Sequence, residues 1–231
     1  MRSALSKAEI ESNIAARFGD AFKLHEKVAK ETLSTGITEV DDLTGGIPRG
    51  AITEIFGRGS SGRTSLIYSA LAYATAHEEI CALVDTNDVF APTAATTAGI
   101  DFDRLLWVRC AASLEQAFKA TDLLLHAGGF GLVILDIGDV AGKEARRIIS
   151  SWWYRFRRTV EDRPTALMVI SEEACTRSCA ALTLELHGSG EWLRTRVTHG
   201  NLLRFNSIKV NRCRPLVPTF NESEFRVPAV C

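Results

Sequence analysis

The chain has 231 residues, with 27 lysines and arginines against 28 aspartates and glutamates, a formal net charge of −1. Hydrophobic residues at 46% and charged residues at 24% exclude a largely disordered or collagen-like chain, and the near-neutral balance argues against a wholesale polyanion binder while leaving local basic patches open. No apolar run reaches the roughly 18–20 residues that span a bilayer, and the opening residues Met1 to Lys7 lack a signal peptide's apolar stretch, so a soluble cytoplasmic protein is expected.

Taken in chain order, Ser6 and Glu9 have the spacing of a capping box, in which the hydroxyl and the carboxylate satisfy orphan backbone donors. Ile10, Ile14 and Phe18 then recur every four residues, one stripe of an amphipathic helix ending near Gly19. Short apolar runs follow at 51–56, 80–85, 105–110, 131–136 and 166–171, separated by helical stretches at 64–76, 113–126 and 144–160. Continuous apolar strands alternating with crossover helices imply a parallel sheet covered on both faces. From residue 180 the texture changes to runs at 181–186, 202–210 and 224–227, read as antiparallel strands added to one edge. The expected organisation is an N-terminal helical arm and linker over 1–32 and a phosphate-loop domain over 33–231. Cys175 and Cys179, four apart, lack the spacing of a zinc or redox pair, so buried free thiols and no structural metal are expected.

The chemistry concentrates after the first long strand. Gly57-Arg58-Gly59-Ser60-Ser61-Gly62-Arg63-Thr64 joins that strand to a helix opening at Ser65, the setting of a Walker A loop, G-x-x-x-x-G-K-[ST]. Glycines permit a tight turn whose backbone N–H groups face a phosphate at a helix N-terminus. Gly57, Ser60, Ser61, Gly62, Arg63, Thr64 and Ser65 are therefore the expected nucleotide-binding residues, for ATP or ADP. Thr64 and Asp136 are the expected magnesium partners, Asp136 because it ends the apolar run Leu132-Val133-Ile134-Leu135 as a Walker B acid does. Arg63 departs from the pattern: guanidinium is planar and forked where lysine is a compact point charge.

The conjunction of Leu33-Ser34-Thr35-Gly36-Ile37, Asp41-Asp42-Leu43-Thr44-Gly45-Gly46-Ile47-Pro48-Arg49-Gly50 and the phosphate loop resembles the RecA-type recombinases. Ile14 to Gly19, Val84 to Pro92 and Gly99-Ile100-Asp101 are also similar to segments of that family. The resemblance implies an α/β RecA-like core with a mainly parallel sheet, antiparallel edge strands and an N-terminal arm. It also marks departures. The family's water-activating glutamate aligns with Asn87, which accepts no proton, with Asp88 as its neighbour. The two DNA-gripping loops, at 137–143 and 172–180, are short, and Glu172 stands where a nucleotide-sensing glutamine is expected; a protein without the recombinase's large C-terminal domain is the expectation.

Two basic stretches remain. Residues 143–158 hold six lysines and arginines against Glu144, and residues 194–214 hold six with no acid. In the first, Ile148, Ile149, Trp152, Phe156 and Val160 read as a sheet-facing stripe with arginines on the solvated face, while Trp152, Trp153 and Tyr154 are possible base-stacking residues. In the second, Arg212 and Arg214 resemble the paired lysines that reach a neighbouring subunit's ATP site, against the plainer reading of a charged hairpin edge. Altogether the chain resembles most the ImuA-type RecA-related accessory proteins of bacterial SOS mutagenesis cassettes. That resemblance implies recombinase as partner, docked through Ile10, Ile14 and Phe18, together with an inactive Y-family polymerase homologue and an error-prone polymerase. It further implies weak, nonspecific DNA binding, no membrane, and at most weak ATPase activity. The alternatives are an active DNA-dependent ATPase or recombinase, and a signalling or clock-type ATPase of the same fold.

Overall fold

The computed structural model describes residues 31–140, 150–194, 201–216 and 220–228, with Glu144 and Ile148. The arm residues Ile10, Ile14 and Phe18 belong to a separate unit, Met1–Lys30, outside the described residues.

The polypeptide enters through a two-residue strand β1 (Thr32–Leu33), paired antiparallel with β2 (Ile47–Pro48) across the short helix α1 (Thr38–Thr44). Asp41 fixes this entry by accepting the Thr35 N–H and Oγ1–H, both at 2.9 Å, and the Ser34 hydroxyl. Gly45, at φ +76°, ends α1 in the left-handed region that glycine tolerates.

Then come β3 (Ala51–Phe56), α2 (Arg63–Ala76), β4 (Cys81–Asp85), α3 (Pro92–Thr97), β5 (Leu105–Arg109), α4 (Leu114–Ala127) and β6 (Leu132–Asp136). α5 (Ser150–Val160), β7 (Ala166–Ser171), β8 (Ala180–Arg194), β9 (Asn201–Arg214) and β10 (Glu222–Pro228) complete the described elements. Eight strands form one sheet in the order β10-β9-β8-β3-β7-β6-β4-β5. The pairs from β8 to β5 are parallel, and only β8–β9 and β9–β10 are antiparallel. The expected α/β architecture is therefore present. One detail differs: β8 runs parallel to β3, so two antiparallel strands, rather than three, extend the edge. Its apolar run alone left that direction open, because direction is set by what β8 pairs with.

Strand alternation sorts the core onto two faces. Leu132 and Ile134 face one side, with Leu66, Ala70 and Leu71 of α2; Val133 and Leu135 face the other, with Phe118 of α4 and Phe156 of α5. In α5 Phe156 and Val160 are buried against the sheet as expected, joined by Trp153, 1% exposed and in ring contact with Phe118 and Phe156, whereas Trp152 is only half-buried. Burial removes Trp153 from the residues able to stack on a base and corrects the stripe expected from the sequence. Tyr154 remains 56% exposed. Ile149 lies outside the described residues.

Candidate functional site

The carboxyl ends of β3, β7, β6 and β4 lie side by side, where ligands of open α/β sheets characteristically bind. The loop after β3 turns through Ser60 (φ +62°) and Gly62 (φ +97°) before α2 begins at Arg63. That loop is seated on the β8–β9 hairpin. A Cβ on Gly62 would meet Ile208 Cδ1 at 2.3 Å, one on Gly57 would meet the Leu186 carbonyl oxygen at 2.5 Å, and one on Gly188 would meet the Ser60 carbonyl oxygen at 2.1 Å. Gly188 and Ile208 thus form the seat against which the loop packs, a role invisible in the sequence because they lie more than a hundred residues away.

Ser61 Oγ and, just after β4, Thr86 Oγ1 are buried with no hydrogen-bond partner among the described residues. Two orphaned hydroxyls at the end of the sheet suit a polar ligand. Thr64 is exposed, and Ser65 is half-buried beside a groove of about 830 Å³ also lined by Tyr68, Ala94 and Phe225. A second cleft, of about 610 Å³, lies over the loop between Arg58, Ser61, Glu172, Glu185 and His187. Glu172, placed by the sequence at a sensing position, does line the loop.

Arg63 is 11% exposed and leans away from open solvent. Its Nη1 donates to the Gly138 carbonyl at 2.8 Å, and its Nη2 lies 4.0 Å from Asp139 Oδ1. The Gly138 N–H in turn donates to Asp136 Oδ1 at 2.8 Å. A Cβ on Gly138 would lie 2.7 Å from Arg63 Nη1 and 2.9 Å from Asp136 Oδ1, so guanidinium and carboxylate flank one point of backbone. Burial pushes the Asp136 carboxyl up to about 6, while the Gly138 N–H and the Arg63 charge pull it back. Asp136 and Thr64 have oxygen donors of the right chemistry for magnesium. A divalent cation also needs near-octahedral oxygen ligation with retained waters, and here one carboxylate oxygen is engaged by Gly138 and a fixed cation stands beside it. The arrangement does not fit a bound divalent ion.

A carboxyl whose folded pKa exceeds its unfolded value binds protons more readily when folded. Its contribution to stability therefore declines as pH rises through the window from about 4 to about 6. Asp136→Asn is expected to stabilise the chain by roughly 2–3 kcal/mol near pH 7.5, with the gain vanishing below about pH 4. Urea unfolding of both proteins across that range measures it, and a constant difference would contradict the assignment.

At the end of β4, Asp85 is 1% exposed and accepts the Val89 N–H at 3.1 Å, the Phe90 N–H at 3.0 Å and Trp107 Nε1–H at 3.2 Å. This fixes the turn carrying Asn87 and Asp88. Asp88 is committed elsewhere: Arg109 Nε and Nη2 each donate to it at 3.0 Å. Arg212, expected as a trans-acting residue, is likewise used within its own chain. Its Nη1 donates to the Leu43 carbonyl at 2.6 Å and its Nη2 to the Phe220 carbonyl at 2.5 Å, tying β9 to the end of α1. Arg214 is exposed. The sequence could not separate the two, because tertiary carbonyls recruited Arg212.

Glu54 escaped the sequence reading altogether. It stands mid-strand in β3, 1% exposed, and its Oε1 accepts the Cys175 and Thr176 N–H groups at 2.6 and 2.8 Å, while Oε2 accepts the Thr176 hydroxyl at 2.7 Å. A lone carboxylate inside an apolar strand was the available signal. Cys175 and Cys179 are buried in this loop, which has no helical face; burial pushes the Cys175 thiol well above the usual range and raises that of Cys179, against which nearby arginines pull. Among the described residues no group of three or more His, Cys, Asp or Glu is placed to hold a metal, and no helix is long and apolar enough to cross a membrane.

These features define an α/β protein of the phosphate-loop class. The chain belongs to the RecA family: the RecA N-terminal domain matches residues 4–147. It is similar to Protein RecA of Aquifex aeolicus, 31% identical over 182 residues, covering 70% of this chain and 52% of that one. It is also similar to Protein RecA of Chlorobaculum tepidum, at 39% over 108 residues (46% of this chain, 31% of that one), and of Acinetobacter baumannii, at 34% over 140 residues (59% and 39%). The chain spans about half, at most, of the length of the curated relatives it matches.

Proposed function

We propose that this chain is a RecA-related accessory protein of DNA repair that holds a nucleotide but hydrolyses it slowly, and that acts by docking on recombinase. The phosphates rest on the loop 57–62 and the nucleoside lies in the groove beside α2. The observation that carries this reading is the paired damage to one reaction: Arg63, in the lysine position, is anchored to Gly138, and Asn87 stands where a base is needed, with Asp88 held by Arg109. Its place in an SOS mutagenesis cassette, beside an inactive Y-family polymerase homologue and an error-prone polymerase, rests on sequence resemblance. A pull-down with each partner, with and without ATP, tests that part.

Recombinase filaments grow head to tail, so each subunit offers two different faces. A subunit whose arm docks through Ile10, Ile14 and Phe18 but whose ATP face is impaired adds to an end and blocks the next addition. Substoichiometric amounts are therefore expected to shorten filaments in electron micrographs and lower recombinase ATPase. Ile14→Asp should abolish the effect by placing an unpaired charge in an apolar contact. A folded Ile14→Asp protein that inhibits as well as wild type would disprove this docking mode.

DNA binding is expected to be weak and electrostatic, carried by the basic stretch 194–214, with Arg214 available and Arg212 engaged within the fold. Affinity for single-stranded oligonucleotides should fall steeply between low and physiological salt, with little sequence preference. Tight, salt-insensitive binding measured by fluorescence anisotropy would count against it.

A further inference from the structure

We propose that this site takes its nucleoside polyphosphate without a divalent cation, Arg63 supplying the counter-charge from within the protein. The inference rests on the reading of the loop 57–62 as a phosphate cradle, and it adds what kind of ligand complex that cradle accepts. In a metal-dependent site the loop hydroxyl and the acid at the end of the Walker B strand hold the ion while the loop lysine reaches the phosphates. Here the acid and the loop cation are drawn together around Gly138, whose N–H is donated to Asp136 at 2.8 Å and whose carbonyl receives Arg63 at 2.8 Å.

Three physical points follow. A guanidinium has five N–H donors; Gly138 engages one and the half-exposed Asp139 lies 4.0 Å from Nη2, a loose pair that a phosphate can replace, so most of a planar fork that suits phosphate oxygens is open to it. The group is anchored by a carbonyl and 11% exposed, so it is held in place before a ligand arrives. A dication bound directly to Asp136 would have to displace the Gly138 N–H from the carboxylate and share the space with the Arg63 guanidinium, which already partners the acids here, Asp136 across Gly138 and Asp139 at 4.0 Å. Glycine at 138 is what permits the closure, since any side chain would collide with both Arg63 and Asp136.

The test is equilibrium binding of a fluorescent ATP analogue to the full chain in magnesium and in EDTA, with manganese electron paramagnetic resonance as an independent reading of bound metal. Wild type is expected to bind within about twofold equally in the two buffers and to show no nucleotide-dependent manganese signal, whereas Arg63→Lys, checked for folding by circular dichroism, should lose at least about tenfold affinity in EDTA and acquire the signal. Asp136→Asn provides a second reading, because it should tighten wild-type binding if the carboxylate only repels phosphate and weaken it if the carboxylate orders a metal. A wild-type affinity that falls tenfold or more in EDTA, or a manganese signal with wild type, overturns the inference while leaving the nucleotide site intact. Absence of binding in both buffers overturns the nucleotide reading itself and the inference with it.

Discussion

ATP turnover by this chain, with or without single-stranded DNA, is expected to lie at least about 10²-fold below that of a recombinase of the same family. A positioned general base typically contributes 10²–10⁴-fold, roughly 3–5 kcal/mol of barrier, and Asn87 cannot take a proton. Asp88 is the one neighbouring carboxylate in that turn, and the fork of Arg109 holds both of its oxygens at 3.0 Å. A carboxylate in a bidentate pair is oriented toward its partner rather than toward an attacking water. Asp85 reinforces this, because its bonds to the Val89 and Phe90 N–H groups set the turn that points Asp88 at β5. The loop cation differs separately: Arg63, tied to Gly138, brings a planar fork that can bind phosphate but not the compact point charge that lysine places on the transferred phosphoryl group. Restoring both groups, Arg63→Lys with Asn87→Glu, should raise turnover at least about tenfold over wild type, because charge stabilisation and water activation act on one transition state. A phosphate-release assay decides. Vigorous DNA-stimulated hydrolysis by wild type, lost in Asp136→Ala, would contradict the reading.

The largest effect on stability is expected at Glu54. Replacing it with methionine keeps the volume near the original but leaves the Cys175 and Thr176 N–H groups and the Thr176 hydroxyl buried without an acceptor. Each stranded donor costs about 1–3 kcal/mol, so Glu54→Met should lose at least about 3 kcal/mol and open the loop 172–180 to protease. Glu54→Gln can keep its oxygen on the two backbone donors and give its NH₂ to Thr176 Oγ1 once that hydroxyl turns round, so a loss of only about 1 kcal/mol is expected. Urea unfolding with limited proteolysis separates the two variants. Equal stability of Glu54→Met and wild type would mean that the loop is held by something other than this carboxylate.

Most of the sheet was legible in the residues because a parallel strand buried on both faces must be apolar throughout. Cys81-Ala82-Leu83-Val84 and Leu132-Val133-Ile134-Leu135 leave little else to be. The helix of residues 113–126 was legible for a local reason as well: Ser113 caps it by accepting the Gln116 N–H, and Gly128 follows its end. Phosphate-loop chemistry is likewise local, since a glycine-rich turn between strand and helix carries its own geometry.

What the sequence determined by itself, then, was everything set by neighbours in the chain: the alternation of strands and helices, the loop 57–62, the acid ending β6, and the replacement of lysine and glutamate by Arg63 and Asn87. Tertiary structure alone decided how the charged groups are spent. Arg63 found Gly138, Arg212 found Leu43 and Phe220, Asp88 found Arg109, and Glu54 found a loop more than a hundred residues away. A long polar side chain reaches whatever carbonyl or N–H the fold brings within about 3 Å, and hydrogen-bond geometry at that range is fixed by packing rather than by sequence spacing. For that reason the site's composition could be read from the chain, while the availability of its charges could be read only from the folded molecule.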